Sequence, residues 1–199
     1  MKKLLFYIPL FCLCSCSQSN EASSDQSVSS LSRSAVFEYV YPHVDQILNS
    51  SVVRLAMEEA WGRMKMQVAS NAGRREYGFY IYYNHDTGQF YVGPTIQGAI
   101  EIGCAGSSAS IHLGVVSNNI DVCGFFHCHT SIAGCPDRVY RRTGPSNSDY
   151  NFAESYDLPG ILYDYSESTI TTPFHSVGDS YQAYVFGPEQ RSTMYIDNN

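Results

Sequence analysis

Beyond its third residue the chain contains a single lysine, Lys65. Acidic residues outnumber basic ones, 19 to 12, for a formal charge of −7, and losing Lys2 and Lys3 would leave −9. A surface this acidic argues against nucleic acid or an anionic bilayer as the main partner. No internal repeat and no heptad run is visible, so solenoid and coiled-coil architectures are excluded. The N-terminal apolar run is too short to span a bilayer as a permanent helix. What the chain does have is apolar and aromatic content, 44% and 14%, enough to bury an ordinary core.

The N-terminus reads as an export segment. Met1-Lys2-Lys3 is basic, Leu4 to Leu13 is mostly apolar with Pro9 inside it, and the pattern has the shape of a secretory signal. Leu13-Cys14-Ser15-Cys16 resembles a bacterial lipobox, which implies cleavage before Cys16 and acylation of that cysteine. Residues 1–15 are then a lipoprotein signal peptide. Residues 16–34, rich in Ser, Gln, Asn and Asp, cannot bury a core and read as a flexible tether. Residues 35–199 have the length of one domain. The expected location is a bacterial cell envelope, the outer membrane in a Gram-negative cell, facing periplasm or exterior. Contact with the membrane is expected through the lipid alone.

With Cys12 and Cys14 removed and Cys16 acylated, Cys104, Cys123, Cys128 and Cys135 remain. Four cysteines in an oxidising compartment allow three pairings, among which sequence does not choose. Cys104 with Cys123 is preferred, because both fall in neighbouring strand-like segments.

Residues 35–48 read as a short helix, broken or offset by Pro42, and 51–70 as a longer one. Val53, Met57, Ala60, Trp61, Met64 and Val68 share a face of that second helix, with Ser51 as its cap. Aromatic and β-branched runs predict strands at 77–83, 89–92, 110–116 and 122–129, with Asp86-Thr87-Gly88 turning the first into the second. A helix over 148–156, capped by Ser146 or Ser148, precedes strands at 161–165 and 181–186. The expected class is α/β (α+β), a single mixed sheet flanked by helices.

The chemistry concentrates between His127 and Asp149. His127 and His129 flank Cys128, and on a strand residues i and i+2 face the same side, so Cys128 faces away and is not counted as a ligand. Asp149 can close a site of two nitrogens and one oxygen. Three protein ligands and an open fourth position are how hydrolytic zinc is held, whereas structural zinc has four. Ser146, three residues before Asp149, falls at a helix start, where its hydroxyl can cap the helix or hydrogen-bond a developing oxyanion. Cys135-Pro136 lacks a following Cys-x-x-Cys, and no Glu lies inside His-x-His, which sets aside the zinc deaminase pattern. His43, His85, His112 and His175 show no ligand spacing. Arg138, Arg141 and Arg142 are a solvated loop or a grip for a substrate carboxylate.

A Glu on a first strand, His-x-His ending a later one, then Ser-x-x-Asp at a helix start resembles the JAMM/MPN+ zinc metalloprotease superfamily. The resemblance covers roughly residues 51–165. Arg75-Glu76-Tyr77-Gly78-Phe79-Tyr80-Ile81-Tyr82 is similar to the Glu-bearing strand of a bacterial branch of that family. It implies a JAMM/MPN-like (cytidine-deaminase-like) fold and a Zn2+ ion held by His127, His129 and Asp149. It further implies Glu76 as general acid and base, and Ser146 as oxyanion donor. Glu101 is the rival base. Thr130 stands where the family usually has Pro, and 17 positions separate His129 from Ser146, more than is usual there, so the cleft rim must differ. The expected activity is zinc-dependent hydrolysis of peptide or isopeptide bonds, with a peptide or protein as substrate. The alternative is a non-catalytic metal- or peptide-binding lipoprotein with the same fold. Oligomeric state is left open.

Overall fold

Aromatic and β-branched residues decide where this chain extends. The computed structural model describes residues 36–70, 73–102, 110–115, 119–130, 142–165 and 181–197. By its contacts the chain divides into Met1–Arg33 and Ser34–Asn199, and all described residues belong to the second unit. The proposed signal, Cys16, the tether, Cys104, Cys135, Arg138, Arg141 and His175 lie outside the described residues.

The elements are β1 (Val36–Tyr39), α1 (Val44–Asn49), α2 (Ser51–Ala69), β2 (Tyr77–Asn84), β3 (Gln89–Val92) and β4 (Ile96–Gln97). They continue with β5 (Val122–Cys128), α3 (Asn147–Tyr156), β6 (Gly160–Tyr165), β7 (Tyr181–Phe186) and β8 (Met194–Asp197). Six strands form a mixed sheet in the order β3-β2-β5-β6-β7, with β4 also on β2. β5 and β6 are parallel; the other pairings are antiparallel. Parallel neighbours need a crossover, and here it carries α3.

Alternation along the strands sorts side chains between two faces. Tyr77, Phe79 and Ile81 of β2, Phe126 and Cys128 of β5, and Ile161, Tyr163 and Tyr165 of β6 pack with Val44 and Ile47 of α1. Val53, Met57, Ala60, Trp61 and Met64 of α2 complete this cluster, so the helical stripe read from sequence is its core-facing side. On the opposite face Tyr80, Phe125, Leu162 and Phe186 pack with Val122, Ala153 of α3 and Leu158. All seven residues of β5 are buried, which explains its nearly unbroken apolar sequence. Its one charged-capable side chain inside the strand, His127, lies on the α3 face.

Several expectations are corrected. Residues 36–39 form a strand rather than the start of a helix, because β8 pairs with them residue for residue. Pro42 disfavours a helix before it and has no N–H to give, so α1 begins only after His43, which caps it. Ser50, not Ser51, is the N-cap of α2, and it makes no side-chain capping bond. Residues 110–115 form no strand; Gly114 has a φ of 89°, which breaks the extended run. Among the described residues there are two sheets instead of one, since β1 and β8 form their own pair. The Cys123 thiol is buried, which pushes it up to about 12, and Cys104, its preferred partner from the sequence, lies outside the described residues, so that pairing is neither supported nor overturned.

Candidate metal centre

β5 ends on the histidine pair, and its alternation puts His127 on the α3 face with Cys128 opposite, buried against α2. His129 follows the strand and stays in register, its N–H donating to the Tyr163 carbonyl at 3.0 Å. The two imidazole rings meet edge-on, with their centroids 5.2 Å apart. The chain then returns through the crossover to α3, whose first turn supplies Asp149. His127, His129 and Asp149 each offer a ligand atom, all within 4.8 Å of one another.

The contacts have a defined sense. His127 Nε2 lies 3.3 Å from Asp149 Oδ1, and His129 Nε2 lies 3.6 Å from Asp149 Oδ2. His127 is 2% exposed, yet its Nε2 makes no hydrogen bond, its contact with the Asp149 carboxylate at 3.3 Å being electrostatic. An orphaned buried nitrogen costs free energy unless something else fills its lone pair. A four-coordinate ion at about 2.0–2.2 Å from nitrogen and oxygen ligands holds them about 3.3–3.6 Å apart; each imidazole stands at such a distance from an oxygen of Asp149, and the three ligand atoms lie within 4.8 Å of one another. The donor set of two imidazoles and a carboxylate therefore fits a metal ion.

The walls of the site are shaped by glycines. Gly78 of β2 sits directly across from His127, and a Cβ there would come 2.5 Å from the Phe126 carbonyl oxygen and 3.0 Å from His127 Cβ. Gly160 of β6 leaves room for the Phe186 ring, which stands edge-on to His127 at 6.1 Å. Phe125, itself 5.5 Å from the Phe186 ring, lies nearly parallel to the His127 ring at 6.3 Å. The first ligand is thus held by aromatic packing.

Asp149 is positioned by α3 itself. It occupies the third helical position and forms a capping box with Ser146. The Ser146 N–H donates to Asp149 Oδ2 at 2.6 Å, and the Asp149 N–H donates to Ser146 Oγ at 3.3 Å. Burial opposes ionisation of Asp149, but the two imidazoles and the Ser146 N–H hold its carboxyl well below the usual carboxylate range. Burial likewise opposes the charged form of His129. The Asp149 and Asp164 carboxylates and the charge of Glu76 outweigh it and raise the ring to about 9.

Glu76 lies one residue before β2 and is 8% exposed. Gly78 pairs with His127, so continuing the register by two residues sets Glu76 opposite His129, on the ligand face. Its electrostatic effect on His129 agrees with that placement. Ser146 is exposed; its oxygen accepts from Asp149, leaving its hydroxyl proton available to donate. Glu101 makes an isolated backbone bridge with Arg74. His43 caps α1, His85 sits among Tyr39, Tyr41 and Tyr83, and His112 is exposed.

One residue at the site went unread in the sequence. Asp164 is fully buried, with Oδ2 3.1 Å from His129 Nδ1 and 2.9 Å from the Gly144 N–H. Its signal was available: it is the one charged residue inside the buried strand Gly160–Tyr165. Carboxylates at 76, 149 and 164 gather around the two imidazoles, a donor set compatible with a cation. No protein-family model, curated protein or solved structure matches the chain.

Proposed function

We propose that this chain is a zinc-dependent hydrolase of peptide or isopeptide bonds with a JAMM/MPN-like fold, anchored to a bacterial envelope through acylated Cys16. The observation that carries the reading is the convergence of His127, His129 and Asp149 beside an orphaned, buried His127 Nε2. Two ligands end one strand of a parallel pair and the third opens the helix of its crossover, so the site lies at the carboxyl end of β5, where open α/β sheets bind ligands. Glu76 on the same face supplies the carboxylate that an amide hydrolase needs beyond its metal ligands. None of the helices among the described residues is long and apolar enough to cross a membrane.

When bound, zinc would supply a Lewis acid that makes water nucleophilic near neutral pH. Glu76 accepts the proton of the attacking water and delivers it to the leaving amine, as a carboxylate partly shielded from solvent can. Ser146 turns its hydroxyl proton towards the developing oxyanion while its lone pair stays on the Asp149 N–H. His127, His129 and Asp149 hold their atoms still.

The test is the metal content of the purified chain against His127→Ala, followed by turnover of peptide and isopeptide substrates. The wild type should carry close to one zinc and His127→Ala almost none, because two ligands hold zinc poorly against water. Glu76→Gln should keep the zinc and lose at least about a hundredfold in turnover. A zinc-loaded wild type that cleaves nothing across peptide, isopeptide and cell-wall libraries would make it a binding lipoprotein. Iron instead of zinc in the purified chain would refute the hydrolytic assignment.

A further inference from the structure

Asp164 is the most buried carboxylate near the proposed centre, and it is not among the three ligands. It lies on β6, the strand parallel to β5, and three donors converge on it. Oδ2 faces His129 Nδ1 at 3.1 Å and accepts the Gly144 N–H at 2.9 Å; Oδ1 accepts the Tyr165 N–H at 2.7 Å. A carboxylate with no solvent exposure needs such donors, since ionised oxygen left unpaired in a protein interior is costly.

Two consequences follow from one oxygen being shared. A carboxylate can only accept, so His129 must present Nδ1–H to it, and in the neutral ring that proton leaves Nε2, on the Asp149 side, as the nitrogen with the lone pair. The same oxygen pins Gly144, two residues before Ser146, at a φ of 85°. Gly144 lies just before α3, so its anchorage fixes where α3 starts and hence where Asp149 sits.

We propose that Asp164 is the positioning residue of the metal centre, setting the tautomer of His129 and the entry of α3 through a single carboxylate. It touches no ion and no substrate; it acts through His129 and Gly144. The inference rests on the metal reading of the site and is independent of what the site hydrolyses. Asparagine at 164 keeps the shape but has one accepting oxygen where the carboxylate has two. At least one of the three donors then meets an N–H group, and a ring facing that group is driven to the Nε2–H form.

The experiment compares the purified full chain with Asp164→Asn, using zinc alone as the probe in a competition titration. Folding of the metal-free variant is followed by circular dichroism. Zinc binding should weaken by about 10–100-fold, the usual effect of removing a group that orients a ligand. In parallel, 15N spectra of the metal-free chain, at a pH where the ring is neutral, should show His129 protonated at Nδ1 in the wild type. In Asp164→Asn they should show a shift towards Nε2–H. A merely structural role would lower the melting temperature while leaving the folded variant with wild-type zinc affinity and tautomer, and that result overturns the proposal. So does a wild-type His129 protonated at Nε2, a measurement that holds even when the variant does not fold. If neither chain binds zinc the metal reading fails, and the wild-type tautomer alone decides the role of Asp164.

Discussion

Gly78 offers the sharpest perturbation of the site from outside it. The residue binds nothing and titrates nothing, yet its missing side chain is what lets β2 approach β5 beside His127. A Cβ built there lies 2.5 Å from the Phe126 carbonyl oxygen, 3.0 Å from His127 Cβ and 3.1 Å from Ile111 Cδ1. The nearest atom is backbone in a strand buried along its whole length, so it cannot swing aside. Relief even to the shortest contact a real Cβ makes, 3.0 Å, requires the strands to part by about 0.5 Å, and overpacking of this kind costs about 1–3 kcal/mol. For a domain of this size that lowers the melting temperature by about 2–12 °C. The displacement also exceeds the roughly 0.2 Å within which zinc ligands must be placed, so zinc affinity should fall with it. Gly62 of α2 is the control, because a Cβ there meets nothing within 4 Å. Gly62→Ala should stabilise by about 0.5–1 kcal/mol through backbone entropy and leave zinc binding unchanged. Thermal denaturation and zinc titration of both variants give opposite signs in the first assay and a difference between them in the second. A Gly78→Ala chain with wild-type melting temperature and zinc affinity would refute the reasoning.

Three further outcomes are expected. Ser146→Ala should reduce turnover by less than Glu76→Gln does and cost about 1 kcal/mol of stability as a lost helix cap, measured by steady-state kinetics and melting. Zinc binding should tighten as pH rises towards about 9, since protons compete for His129 below its raised value. Because that folded value lies above the unfolded one, the metal-free chain gains stability below about pH 6.5 and loses it on approaching pH 9, so melting curves and zinc titrations across that window should move in opposite directions. Cys16→Ser should move the protein from the membrane to the soluble fraction, and an unchanged fractionation without lipid mass on the N-terminal peptide counts against the anchor.

The convergence of His127, His129 and Asp149 was legible because its logic is local. His-x-His on an apolar run needs only strand alternation to put both rings on one face, and Ser-x-x-Asp needs only a capping box, whose two bonds are present. α2 was legible for the same reason, five core residues recurring at helical spacing. What sequence did not show depends on distant pairing. Residues 36–39 become a strand only because β8 lies beside them, some 155 positions on, and β8 is too short to announce itself. The run 110–115 has strand composition but turns at Gly114 instead of pairing. Asp164 belongs to the same class: a lone carboxylate in an aromatic strand acquires its meaning only when the parallel pairing of β5 and β6 sets it beside His129.

The position of Asp149 explains how a single acidic residue can serve both the helix and the site. A carboxylate at the third helical position is favoured by the exposed N–H groups and positive end of the helix, which would otherwise repel a cation placed there. In α3 that charge is committed locally: Oδ2 takes the Ser146 N–H, while Oδ1 points at His127. The capping box thereby fixes the side-chain torsions of the ligand before any ion arrives, and the helix end becomes a place where a cation is tolerated. Asp164 does the equivalent for His129 from β6, and aromatic packing does it for His127. Each of the three groups is held by a different element, and each imidazole thereby stands 3.3 or 3.6 Å from an oxygen of Asp149, an arrangement compatible with a cation between them.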